Sequence, residues 1–271
     1  MSAARRRSAA ALSVAALLLT ATFIATQASK AEVAQVGNLR VSFAGKIAPH
    51  ALPRVGTAPV SVSLAGEIKT TDGTKPPQLR TISMAINRNG YLDYKGLPRC
   101  NYHQIQPATT AEAKASCGRS LVGTGTFEAD VALPDQSPFP SDGKVLAFNG
   151  NLHGKPVIYA HIYGTEPLPT SFVLPFEIQK ASGDYGTKLV AELPQVAAEW
   201  GFVSGVSLTL QRSFVYKGKR HSYLAAGCPA PKGFGGATFP FAKASFGFED
   251  GRTLSSTMRR ACAVQARSRR L

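Results

Sequence analysis

The chain has 271 residues, enough for one large domain or two small ones with a real core. An apolar content of 44% excludes wholesale disorder, and 25 Gly and 18 Pro with few acidic residues exclude a helical bundle. Lys and Arg exceed Asp and Glu by 31 to 16, a formal net charge of +15.

The N-terminus reads as an address. Arg5, Arg6 and Arg7 precede an apolar run over residues 9–25, and small residues follow at cleavage-like spacing, Ala28 and Ala31 among them. A basic start, a short apolar stretch and a small-residue exit predict a secretory signal peptide over residues 1–31. The rival is an uncleaved anchor, because about 17 apolar residues is the lower limit for spanning a bilayer. No cysteine lies near the exit, which argues against a lipid-modified one, and no second apolar run reaches spanning length. No membrane span is therefore expected once the signal is cleaved. Removing residues 1–28 removes three arginines and no acid, so the net charge falls from +15 to +12.

The four cysteines, Cys100, Cys117, Cys228 and Cys262, are an even number in an exported chain, which predicts two disulfides. Three pairings are possible. Sequential pairing, Cys100 with Cys117 and Cys228 with Cys262, is expected because each pair brackets one local segment. Zinc would want close pairs, and none of these cysteines is two or three residues from another.

Strand signals follow one another along the mature chain. Leu39, Val41 and Phe43 alternate with polar or small residues, as do Val60, Val62 and Leu64, continuing to Ile68. Asp72-Gly73 marks a turn. Ile82, Met84 and Ile86 lead to Asn89-Gly90, a preferred hairpin pair, with Tyr91, Asp93 and Lys95 alternating with Leu92 on the returning strand. Between Cys100 and Cys117, residues 107–116 predict one short helix, capped by Thr109 or Thr110.

Phe127, Ala129, Val131 and Leu133 form one face of the next strand, with Glu128 and Asp130 on the other. Phe172, Leu174, Phe176 and Ile178 alternate, a second short turn is expected over residues 195–200, and Val206, Leu208 and Leu210 alternate after it. Lys217-Gly218-Lys219 reads as a hairpin tip, and Phe246 and Phe248 lead into another at Asp250-Gly251, from which Thr253, Ser255 and Thr257 climb away. About twelve short strands predict an all-β protein, a β-sandwich of immunoglobulin-like or jelly-roll-like type, over residues 32–265. Residues 164–169 read either as a linker dividing it or as a rim loop; one domain is the preferred reading. The basic tail, residues 266–271, is expected to be disordered.

Catalytic signatures are missing. There is no Gly-x-Ser-x-Gly elbow, no His-Glu-x-x-His and no phosphate loop, and His50, His103, His153, His161 and His221 are scattered. No cofactor, no metal and no catalytic residue is predicted. A hydrolase acting on a glycan or ester, its site assembled from distant strands, is the alternative to a binding role, and an assembly module is a third.

One strand stands out for binding. Tyr159, His161 and Tyr163 share a face while Ile158, Ala160 and Ile162 share the other. With the isoleucines in the core, the first face would be an aromatic strip able to stack on sugar rings, or simply tyrosine used as a good strand former. Lys217, Lys219, Arg220 and His221 surround one hairpin tip, and Arg259 and Arg260 lie near the last cysteine. Such a surface outside the cell attracts anionic cell-wall polymers or lipid headgroups; a nucleic acid partner is not expected, since no recognition motif is present.

Several stretches carry a resemblance. They are residues 96–100 (Gly96, Leu97, Pro98, Arg99, Cys100), residues 121–125 after Cys117, Ala147-Phe148-Asn149-Gly150, Cys228-Pro229-Ala230-Pro231 and residues 248–254. Over residues 39–262 the chain resembles a group of uncharacterised exported β-rich proteins of high-GC actinobacteria. The resemblance implies paired cysteines and turns, and no activity comes with it. The expectation is a disulfide-stabilised protein of the cell envelope or extracellular space, with a non-enzymatic binding or structural role directed at an anionic cell-wall polymer or glycan.

Overall fold

The computed structural model describes residues 31–131, 137–166, 169–193 and 201–265. The signal segment, the basic tail, Leu133 and the turn expected at 195–200 lie outside the described residues, as do two positions of the 164–169 stretch.

The protein is all-β. Its strands are β1 (Glu32–Val36), β2 (Leu39–Ala48), β3 (Ala51–Leu52), β4 (Ala58–Pro59), β5 (Ser61–Thr70), β6 (Leu79–Asn87), β7 (Gly90–Leu92), β8 (Leu121–Val131), β9 (Phe139–Leu152), β10 (Lys155–Gly164), β11 (Thr170–Lys180), β12 (Tyr185–Glu192), β13 (Gly201–Leu210), β14 (Ser213–Tyr216), β15 (Lys219–Ser222), β16 (Leu224–Ala226), β17 (Gly236–Phe248) and β18 (Thr253–Val264). The helix α1 (Thr110–Cys117) lies where the sequence places it, and Thr109 and Glu112 cap it reciprocally.

Thirteen strands form one sheet in the order β1-β2-β5-β13-β8-β9-β10-β11-β12-β6-β17-β18-β3. Every pair in it is antiparallel except β18 with β3. The sheet curls until its two ends meet, so one continuous sheet supplies both layers of the sandwich. Phe43 on β2 and Phe246 on β17 stand nine places apart in the strand order, yet their rings pack edge to face at 6.4 Å. Side chains close the seam. Arg260 of β18 pairs with Glu32 of β1 at 2.7 Å and donates through Nε to the Gly45 carbonyl at 2.6 Å. Gly45 itself leaves room for Met258, whose sulfur would stand 2.8 Å from a Cβ there.

The alternation read from the sequence places one face of each strand inside this curl. Leu39, Val41 and Phe43 are buried, as are Phe246, Phe248 and Leu254. The Asp250-Gly251 and Lys217-Gly218 hairpins form between β17 and β18 and between β14 and β15.

The hairpin expected at Asn89-Gly90 does not form. Both edges of β6 are already taken, by β12 and by β17. The chain turns there, with Asn87 Oδ1 accepting from the Asn89 amide at 2.9 Å, but β7 leaves the main sheet and pairs with β16 instead. Together β4, β16 and β7 make a three-stranded sheet that caps one end of the curl. Leu92, Leu224 and Ala226 face inward from it onto the core.

The cysteines pair sequentially. The Cys228–Cys262 disulfide ties the segment after the cap to β18, and Cys100–Cys117 closes the segment that carries α1.

Candidate ligand cavity

The inward faces do not fill the curl. Leu64 and Ile68 of β5, Ile82 and Met84 of β6, Ile158 of β10 and Leu174 of β11 surround a cavity of about 180 Å³. Its walls come from strands on every side of the sheet. Small residues at inward positions, Ala160 on β10, Ala244 on β17 and Gly66 on β5, leave the space that larger ones would occupy. Among the described residues bordering it, Glu67 carries charge, and its carboxylate is turned to Lys69 Nζ at 2.9 Å and Ser42 Oγ at 3.3 Å. The hydrogen bond from Lys69 holds that carboxyl below its usual pKa, against a smaller opposing effect of burial.

The two ends of the cavity differ. At the capped end, Val60 N donates to the Leu224 carbonyl at 3.0 Å and Cys228 N to the Pro53 carbonyl at 2.9 Å. A small apolar gap of about 50 Å³ remains between cap and curl. At the opposite end, inward-facing residues reach solvent. Val206 lies opposite Gly66 and Phe127, and Phe172 lies opposite Ile162, all on the inner face. Yet Val206 is 40% and Phe172 38% exposed. Among the described residues, this end of the buried strand face is a mouth.

The aromatic strip lies on the other side of the wall. As the alternation implies, Ile158, Ala160 and Ile162 face the cavity. Their alternates are not an open sugar platform, because Tyr159 is 1% and His161 0% exposed. The disulfide-closed segment 100–117 covers them. The Tyr159 ring lies over Gly150, where a Cβ would stand 2.4 Å from it; its hydroxyl donates to the Asn151 carbonyl at 2.7 Å, and Tyr102 packs edge-on at 6.3 Å. His161 Nε2 bonds the Ala108 carbonyl at 2.9 Å. Burial pushes the pKa of this imidazole down, and a neutral ring with its proton on Nε2 satisfies that contact. Tyr163 is half-buried. Gln106 Nε2 to the Ser171 carbonyl, 3.1 Å, and Ala108 N to Ser171 Oγ, 3.3 Å, complete the latch of this segment on β11.

Other sequence candidates separate. Glu128 is exposed and Asp130 half-buried, on the outward face of β8. His221 pairs through Nδ1 with Asp93 Oδ2 at 2.7 Å and stacks on Phe214. The neighbouring Ser222 hydroxyl donates to the Leu224 carbonyl, not to His221. Among the described residues, no group of three or more His, Cys, Asp or Glu is placed to hold a metal. Arg260 is drawn into the seam rather than adding to a basic surface, whereas Arg259, Lys217, Lys219 and Arg220 are exposed.

Sequence reasoning missed the cavity. Alternation marks which residues point inward, but whether they meet in the middle depends on the curvature of thirteen strands. The readable clue is the set of small residues, Ala160, Gly66 and Ala244, at inward positions flanked by larger apolar ones.

Fold and site together define a class: a curled, capped all-β sheet around an apolar chamber that, among the described residues, opens at one end. Comparison with protein-family models, with curated proteins and with solved structures finds no match.

Proposed function

We propose that this chain is an exported, non-enzymatic binding protein that takes a compact apolar ligand into the chamber of the curled sheet. The observation that carries the reading is the chamber itself, apolar on every wall and reachable at the mouth beside Val206 and Phe172. A dry apolar cavity of about 150 Å³ holds benzene. The 180 Å³ here therefore suits a single ring with a short alkyl substituent, or a short branched acyl chain. A sugar fits poorly, since its hydroxyls need polar partners that this lining does not offer. Export is supported by the leader-like N-terminus and by four cysteines that are all paired. Among the described residues no helix is long and apolar enough to cross a membrane.

The test is calorimetry with a homologous series of benzene, toluene, butylbenzene and octylbenzene. The reading predicts one saturable site whose affinity rises with added methylenes and then falls once the chamber is full. Flat, non-saturating heats across the series would refute it.

A further inference from the structure

The two ends of the curled sheet differ in charge. The mouth end is mixed, with Asp72, Asp142, Glu166, Glu192, Glu249 and Asp250 beside Lys75, Arg80 and Arg252, and Glu249 and Asp250 are paired with the two arginines. The capped end carries Arg54, Lys95, Lys217, Lys219, Arg220 and Lys232. Against them stand Asp93, whose carboxylate is taken by His221, and Asp184 in the turn before β12.

The same basic end bears exposed apolar side chains. Val55 is 87%, Val215 70% and Phe234 65% exposed. They sit on three different projections. Val55 is at the tip of the turn before β4, and Phe234 is in the turn over residues 231–235, which Arg54 joins to the first through a hydrogen bond to the Phe234 carbonyl. Val215 is on the β14–β15 hairpin. That hairpin's inner face is held down, by His221 on Asp93 and by the Tyr216 ring over Gly96, so Val215 and its cross-strand partner Arg220 point away from the body. On the outer face of the cap, Tyr91 and Pro59 flank Ala225 in register and are exposed.

We infer that the capped end docks on a lipid bilayer carrying anionic headgroups, with Val55, Val215 and Phe234 entering the interface and the surrounding lysines and arginines meeting the phosphates. A soluble or wall-bound polyanion would be met by the basic groups alone. Separate apolar tips standing out beside the lysines match a surface that is both anionic and penetrable. The mouth would then face away from the membrane. This inference stands on the outer surface, independently of what the chamber binds.

All described strands and both disulfides lie between residues 31 and 265, so the chain from Ala31 onward is the unit to use, free of the apolar N-terminus. Its co-sedimentation is measured with vesicles of phosphatidylcholine alone and of phosphatidylcholine with phosphatidylglycerol as the minor component. Binding is expected to the second only, and to be lost at roughly 1 M salt, where the screening length falls to about 3 Å. Two variants separate the contributions: Lys217→Glu with Lys219→Glu, and Val215→Ser with Phe234→Ser. All four positions are exposed, and an unchanged thermal midpoint confirms that each variant folds. Each is expected to weaken vesicle binding at least about tenfold. If the serine variant binds anionic vesicles like the parent, the surface reads charge only and its partner is a polyanion, which overturns the bilayer inference. Absence of binding to anionic vesicles overturns it equally.

Discussion

The ring of Phe127 lies across Gly143 of the neighbouring strand, and only a glycine permits it: a Cβ on Gly143 would stand 2.4 Å from the ring and 2.1 Å from the Tyr163 carbonyl oxygen. Gly164, paired with Gly143, meets the far end of the same ring, at 3.2 Å. Two adjacent glycines thus make a shallow seat that keeps Phe127 against the wall beside the mouth. Gly143→Ala must push neighbouring strands apart as well as move the ring, and is expected to cost about 3 kcal/mol in urea unfolding. Gly164→Ala need shift only the ring and should cost within about 1 kcal/mol. Equal losses from the two would show that the seat is not what sets the difference.

The second prediction concerns His161. Its folded-state pKa is depressed by burial, so the unfolded chain takes up the proton first as the pH falls. The stability tied to a neutral His161 is whole above the unfolded value of 6.5 and is lost as the pH drops through the folded one. The urea midpoint should therefore fall between neutral and mildly acidic pH. His161→Gln, which keeps a donor for the Ala108 carbonyl but cannot titrate, should flatten that region of the profile. An identical slope in the variant would place the dependence elsewhere.

A third prediction addresses the seam. Arg260 holds Glu32 with two contacts, at 2.7 and 3.2 Å, in a half-buried position, and also holds the Gly45 carbonyl. Glu32→Gln keeps the shape and removes the charge, and should cost about 1 kcal/mol. Arg260→Met removes the contacts to Glu32 and Gly45 together and should cost about 3 kcal/mol, chiefly because the partly buried carboxylate loses its guanidinium. Hydrogen exchange should speed up first in β1 and β18. Uniform acceleration throughout the sheet would argue that the ends are not closed by this contact.

Fourth, the two disulfides should act on different regions. Replacing Cys100 and Cys117 by serine opens a loop of 17 residues and should cost about 3 kcal/mol, with α1 and the cover over Tyr159 losing protection. Replacing Cys228 and Cys262 opens one of 34 and should cost about 4 kcal/mol, with the cap loosened instead. Proteolysis sites distinguish the two.

What the sequence reveals of this fold divides along physical lines. Strand alternation is local, so it assigns Leu39 to Phe43, Ile158 to Ile162 and Phe172 to Ile178 to the right faces, and a capping threonine followed by a run of helix formers places α1. The fate of Asn89-Gly90 is not readable, because it depends on β12 and β17 having occupied both edges of β6. Tyr159 and His161 fail as an open strip for a similar reason. Which side of a strand faces out is a local matter, but the segment 100–117 that covers that side arrives from elsewhere in the chain. The chamber is the most remote property of all, a difference between the volume enclosed by a curled sheet and the volume of the side chains inside it.

Whether the chamber receives a ligand is read by methyl NMR, with toluene titrated into the parent and into Ala160→Leu. Ala160 lines the cavity wall and is buried, so leucine there fills space without touching the outer surface. Saturable shifts confined to chamber methyls such as Leu64, Ile82, Met84 and Leu174 are expected in the parent, and their loss in a folded variant. Shifts that never saturate, or that persist unchanged when the chamber is filled, would contradict binding there.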